Sequence, residues 1–125
     1  MQSVSAATTV RVGNHLLTPA EQAAGVPQRL PFVGADGVTP TDPDVVKVWL
    51  TLPTGTQHRF TYPAPEVGDQ GVVTKQETGR YYVDWTPDTP EDGLWRWFLA
   101  GGMTLGTAQS DQDVFYVRRP IAGLP

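Results

Sequence analysis

The chain has 125 residues, a formal net charge of −4 and no cysteine. That length suits one domain and not two. The missing cysteines exclude a disulfide framework, thiolate zinc sites and a cysteine nucleophile, and nine Lys and Arg scattered along an acidic chain supply no basic face for nucleic acid.

Glycine and proline make about a fifth of the residues, which is turn-rich, but the aromatic and β-branched content argues against disorder. No apolar run approaches the ~20 residues of a membrane span. Met1 to Val10 has neither a basic n-region nor a continuous apolar one, so no signal peptide is expected and folding in a cytoplasm is.

In chain order, Met1 to Thr9 is small and polar, and Val10 to Leu17 suits a short strand. Thr18-Pro19-Ala20-Glu21 to Gly25 is a compact helix signature. Thr18 suits the N-cap, Pro19 N1, Glu21 the N3 position of a capping box and Gly25 the C′ residue. One or two turns are not stable alone and must dock on something. Residues 1–25 are therefore read as an N-terminal arm that docks on its own domain or on a neighbour; the alternative is an extra strand and turn of the domain. Its apolar residues Val10, Val12, Leu16 and Leu17 are candidate partner contacts.

Val26 to Val33 reads as a weak edge strand, because Pro27 and Pro31 interrupt it. Turn residues follow to Asp44. Val45 to Leu52 is the cleanest strand, with Val46, Val48, Leu50 and Leu52 on one face and Lys47, Trp49 and Thr51 on the other. Thr56 to Tyr62 is its hairpin partner across Pro53-Thr54-Gly55. Gly71 to Gln76 is a short strand.

Two alternating aromatic runs come next. Tyr81, Val83 and Trp85 share one parity against Tyr82 and Asp84; Trp95, Trp97 and Leu99 alternate with Leu94, Arg96 and Phe98. The acidic, proline-rich connection Asp88 to Asp92 separates them. Met103 to Asp111 is a connection, Val114 to Arg118 the last strand, and 120–125 a tail. About seven short strands and one weak helix predict an all-β sandwich or small barrel over 26–119.

The pattern Gly79, Tyr81, Val83, Trp85-Thr86-Pro87, then Gly93, Trp95, Trp97 resembles immunoglobulin-like and filamin-like domains. Val46 to Gly55 looks like the preceding strand and turn, and Gly34 to Asp44 like the connection common there. More narrowly, the layout, with Trp95-Arg96-Trp97-Phe98 before the final strand, is similar to small cysteine-free Ig-like proteins encoded among the structural genes of tailed bacteriophages, notably of actinobacterial hosts. The resemblance implies an immunoglobulin-like β-sandwich and a virion component with no catalytic residues to carry over. It places the chain in the virion, as a head decoration, minor capsid or head–tail subunit. It would contact capsid, connector or tail proteins in multiple copies through its arm and edge strands, without nucleic acid or membrane.

Side chains for chemistry are few. His15 and His58 are the two histidines and neither lies at metal-ligand spacing. No serine sits in a nucleophile elbow, and the acids of the turns match no EF-hand pattern. No enzyme, cofactor or metal is expected. Strict alternation cannot bury Trp49, Tyr82, Trp95 and Phe98 together, and an exposed aromatic marks a partner or a sugar-stacking platform. Trp49, Tyr82 and Phe98 are thus partner-binding candidates. The alternative function is a carbohydrate- or cell-surface-binding module using Trp49 or Trp95.

Overall fold

A computed structural model describes residues 2–88, 91–102 and 108–118. Among the described residues nine strands form two sheets: β1 (Gln2–Ser5), β2 (Val10–Gly13), β3 (Val45–Thr51), β4 (Gln57–Tyr62), β5 (Gly71–Val72), β6 (Thr74–Glu77), β7 (Arg80–Trp85), β8 (Gly93–Gly102) and β9 (Gln109–Arg118). One short helix, α1 (Pro19–Ala23), lies between β2 and β3. The larger sheet runs β1-β9-β8-β3-β4-β5 and the smaller β2-β7-β6. The fold is an immunoglobulin-like β-sandwich with one helical turn. The expected tail, residues 120–125, lies outside the described residues, as do residue 119, most of the connection after Gly102, and Thr89 and Pro90.

Period-two patterning built the core as the spacing required. Val46, Val48, Leu50, Trp95, Leu99, Phe115 and Val117 point inward from the larger sheet. Tyr81 and Val83 meet them from the smaller one. Fully burying a side chain such as Leu50 or Phe115 contributes about 1.5–3 kcal/mol over leaving it exposed. Trp95 stacks on Phe115 with ring centroids 5.7 Å apart, and its indole N–H donates to the Glu91 carbonyl at 2.8 Å. A buried indole thus keeps its hydrogen bond. His58 also faces inward, against Trp85 with centroids 4.8 Å apart.

Residues 2–13 are strands of the sandwich, not an arm outside it. β1 runs parallel to β9, from Gln2 opposite Phe115 to Ser5 opposite Arg118. The chain then crosses to the other sheet, where β2 pairs antiparallel with β7. The crossing turns at Ala7, whose φ is +67° and whose N–H donates to the Pro87 carbonyl at 2.8 Å. Because β2 alternates like any half-buried strand, Val10 and Val12 enter the core at 2% and 1% exposure. The domain therefore begins before residue 26.

The capping box of α1 forms as the sequence predicts. The Thr18 hydroxyl accepts from the Glu21 N–H at 3.2 Å, and the Glu21 carboxylate accepts from the Thr18 N–H at 3.0 Å. The expected strand over Val26 to Val33 does not form; Val33 makes a single bridge to Pro40. Two prolines remove donors a ladder would need, and side chains take over the backbone instead. Asn14 Nδ2 donates to the Leu30 carbonyl at 3.2 Å, Gln28 Nε2 to that of His15 at 2.9 Å and Arg80 Nη1 to that of Arg29 at 2.9 Å.

Phe32 is tied to the turn before β7 by its N–H, which donates to the Gly79 carbonyl at 2.9 Å. Gly79 has φ +79°, and a Cβ there would stand 2.7 Å from the Phe32 carbonyl oxygen, so this turn requires glycine. Asp42 closes the same corner. It accepts from the Tyr81 hydroxyl at 3.0 Å, the Gly79 N–H at 2.9 Å and Lys75 at 2.6 Å. Burial alone would raise its pKa, and these donors together lower it.

Candidate interaction surface

The outer face of the larger sheet is built from the residues whose parity opposes the core. β3 presents Lys47, Trp49 and Thr51, β8 presents Leu94, Arg96, Phe98 and Ala100, and β9 presents Gln112, Val114 and Tyr116. Register places them side by side. Trp49 pairs with Phe98 and Thr51 with Arg96; Leu94 pairs with Tyr116 and Phe98 with Gln112. The Trp49 and Phe98 rings touch, with centroids 5.7 Å apart and planes tilted by 51°. Phe98 remains 37% exposed, Leu94 39% and Tyr116 42%. Here two sequence candidates, Trp49 and Phe98, come together. Leu94, Val114 and Tyr116 join them, and the alternation around Phe115 and Val117 was the signal that could have found Tyr116.

The polar residues toward β4 are tied down by the 63–70 connection. Lys47 bonds Glu66, and Arg59 bonds Asp69. Burial raises the Asp69 pKa, but the Thr61 hydroxyl, the Arg59 guanidinium and the Glu66 amide outweigh it and bring it down to about 2. Asp36 is likewise held at about 2, chiefly by the Thr39 hydroxyl and by the Val38 and Thr39 amides.

The third aromatic candidate is placed differently. Tyr82 lies on the outer side of the smaller sheet beneath Arg11, whose guanidinium carbon sits 3.8 Å from the ring centroid. Asp84 grips that guanidinium through two hydrogen bonds of 2.8 and 3.0 Å. The chain itself thus occupies Tyr82. Val10 and Val12 are core residues and offer a partner nothing; of the four apolar candidates in residues 1–25, Leu16 is exposed at 43% and Leu17 half-buried. Trp95 has no exposed surface, so it cannot stack on a sugar.

A second feature lies between the open edges of the two sheets. A cavity of about 220 Å³ is lined by β2, α1, the 24–29 connection, Trp97 and residues 113–115. Within its wall His15 Nε2 meets both oxygens of Glu21 at 2.7 and 2.9 Å, both residues being about 5% exposed or less. Burial raises the Glu21 pKa, but His15 and the Thr18 donors hold it below the ordinary value. A carboxylate–imidazole pair can move protons, but no hydroxyl or thiol lines this cavity among the described residues. The pair instead joins the start of α1 to the end of β2. Arg29 closes the opposite wall, over the Trp97 ring at 4.8 Å and held by Asp111 at 2.8 Å and by Asp113.

Sequence reading missed this pair, although the N3 position of Glu21 was visible. Several carboxylates serve the chain's own donors: Asp84 holds Arg11, Asp111 and Asp113 hold Arg29, and Glu91 accepts from the Asp88 N–H at 2.9 Å. Among the described residues no group of three or more His, Asp or Glu could hold a metal ion, and no helix is long and apolar enough to cross a membrane. Compared with known protein families and with curated proteins, the sequence matches none.

Proposed function

We propose that this chain is a non-catalytic structural subunit of a tailed-bacteriophage particle, on the head or in the head–tail region. It joins neighbouring virion subunits through the outer face of its six-stranded sheet. The single observation that carries the docking part is the Trp49–Phe98 pair, in contact at 5.7 Å on a face that also bares Leu94 and Tyr116. Clustered exposed aromatics on a regular sheet mark a contact surface. The virion part rests on the resemblance of the Gly79 to Phe98 run to Ig-like phage structural proteins. With Val10 and Val12 buried, the contact moves from the N-terminal segment to the sheet face. Many copies on a symmetric shell would compensate for weak single contacts.

The test is to purify particles of the phage that encodes the chain and locate it by antibody labelling and electron cryomicroscopy. Copies at regular positions are expected; particles that lack the chain would overturn the reading. A carbohydrate-binding module is the second reading, favoured by the half-buried Trp49 ring beside exposed Phe98 on the outer face. Glycan-array binding that disappears in a folded Trp49→Ala variant would replace the first reading with this one.

A further inference from the structure

We infer that the neighbour which covers this face is a protein segment carrying a carboxylate between apolar side chains, and that Arg96 is the residue which recognises it. This rests on the reading of the face as a docking surface and names the chemistry of its occupant. The argument comes from charge. The chain is acidic, with a net charge of −4, and most of its cations are taken by its own acids. Arg11, Arg29, Lys47, Arg59, Lys75 and Arg80 each form an ion pair. Among the described residues Arg96 and Arg118 form none, and both project from this face.

Arg118 stands at the rim, its guanidinium 3.4 Å from the Ser5 hydroxyl. Arg96 stands in the apolar part. Along β8 its outward neighbours are Leu94 and Phe98, and across the ladders they are Thr51 and Val114. Trp49 and Tyr116 lie on the diagonals. None of these side chains is charged, so nothing beside Arg96 on the sheet answers its guanidinium. The β4 side of the face differs, because there Glu66 and Asp69 already hold Lys47 and Arg59. The open part is the one built by β8, β9 and the adjoining side of β3, where Leu94, Phe98 and Tyr116 are exposed.

Leu94, Arg96 and Phe98 follow one another at a two-residue step, about 7 Å on a strand. A partner that takes both apolar ends out of water therefore lies over the guanidinium between them. Covering a cation with no opposite charge is strongly unfavourable. A carboxylate in that place instead forms a charge-assisted, bidentate pair. The face thus turns away a neutral or basic apolar surface and accepts an acidic one, which is specificity by charge. An extended partner segment matches it with apolar, acidic and apolar residues at the same two-residue step. The aliphatic share of the surface, Leu94 and Val114, favours a protein over a sugar. Phe98 also leans on Trp49 with planes 51° apart, so the two rings do not make one flat platform for a sugar ring.

The test is an NMR titration of the full chain with a synthetic peptide in which leucine, glutamate and phenylalanine alternate with threonine, and with versions that carry glutamine or lysine in place of the glutamate. The glutamate peptide is expected to shift the amides of Leu94 to Phe98. It should bind about three- to fivefold tighter than the glutamine version, a difference that shrinks on added salt. Arg96→Gln, with melting like that of the wild type, is expected to erase the difference, and Arg96→Glu to reverse it in favour of the lysine peptide. No binding of any peptide at millimolar concentration, or a glutamate preference that survives in Arg96→Gln, overturns the inference. Tighter binding of an oligogalacturonate than of the glutamate peptide also overturns it, and makes the occupant an acidic glycan. If Arg96→Glu joins particles as well as the wild type does, the acidic partner is removed and the virion reading stays. A glutamate preference that depends on Arg96, in a chain absent from particles, does the reverse.

Discussion

The two outer faces of the sandwich use aromatic residues in opposite ways. On the smaller sheet Tyr82 is roofed by Arg11, Arg11 is held by Asp84, and Arg80 pairs with Glu77 at 3.2 Å. On the larger sheet, among the described residues, Trp49 and Phe98 meet no ring but each other's, and Leu94 and Tyr116 beside them stay open. The difference shows why aromatic content alone does not identify a binding face. A ring covered by a guanidinium has already given up its solvent and would have to break a cation–π contact and an ion pair to meet a partner. A ring beside another ring has unburied apolar area left, and area removed from water is what drives association.

The largest expected effect comes from removing residues 1–24. That deletes Arg11 from the self-satisfied face together with Val10, Val12 and a strand of each sheet. Cooperative unfolding, followed by circular dichroism in urea, is expected to disappear; a truncated chain that still melts cooperatively would make these strands dispensable. Next, Trp95→Ala is expected to cost about 3–5 kcal/mol, because it opens a cavity where the indole stacks on Phe115. Phe98→Ser, three residues away but facing out, is expected to change monomer stability by less than about 1 kcal/mol. Equal losses at the two positions would erase the distinction between core and docking face.

Glu21→Gln is expected to fall between these, at about 1–3 kcal/mol, since it removes the charge facing buried His15 while leaving the shape. Arg11→Ala is expected to be the mildest, below about 1 kcal/mol by urea unfolding, for a partly exposed ion pair.

Acid titration bears on the rim of the docking face. Asp69, which holds Arg59, and Asp36, which folds the 36–39 turn, both have pKa values of about 2 in the folded chain. Since the usual aspartate value is about 3.9, the unfolded chain takes up these protons first as the pH drops. Their contribution is complete above about pH 4 and is lost between about pH 4 and pH 2. The urea midpoint should fall through that window, and less so in Asp36→Asn and Asp69→Asn.

Strands whose two faces differ in kind were legible from residue spacing alone. Val46, Val48, Leu50 and Leu52 alternate with Lys47, Trp49 and Thr51 and are all buried. Tyr81, Val83, Trp95 and Trp97 follow the same rule. The capping box of α1 was equally legible, because Thr18 and Glu21 bond within one turn. Local spacing carries this information, since a side chain's direction depends only on its place in its own strand or turn.

The remaining features depended on partners distant in sequence. Residues 2–13 looked detachable because nothing nearby pairs with them, yet β1 lies on β9 and β2 on β7, both far along the chain. Val26 to Val33 looked like a strand until Asn14 and Arg80 took its carbonyls. Tyr82, Trp49 and Phe98 looked alike as candidates, because parity says only that a ring points outward. Which outward ring is covered depends on the cation that a neighbouring strand brings above it, and that is set by the pairing of β2 with β7.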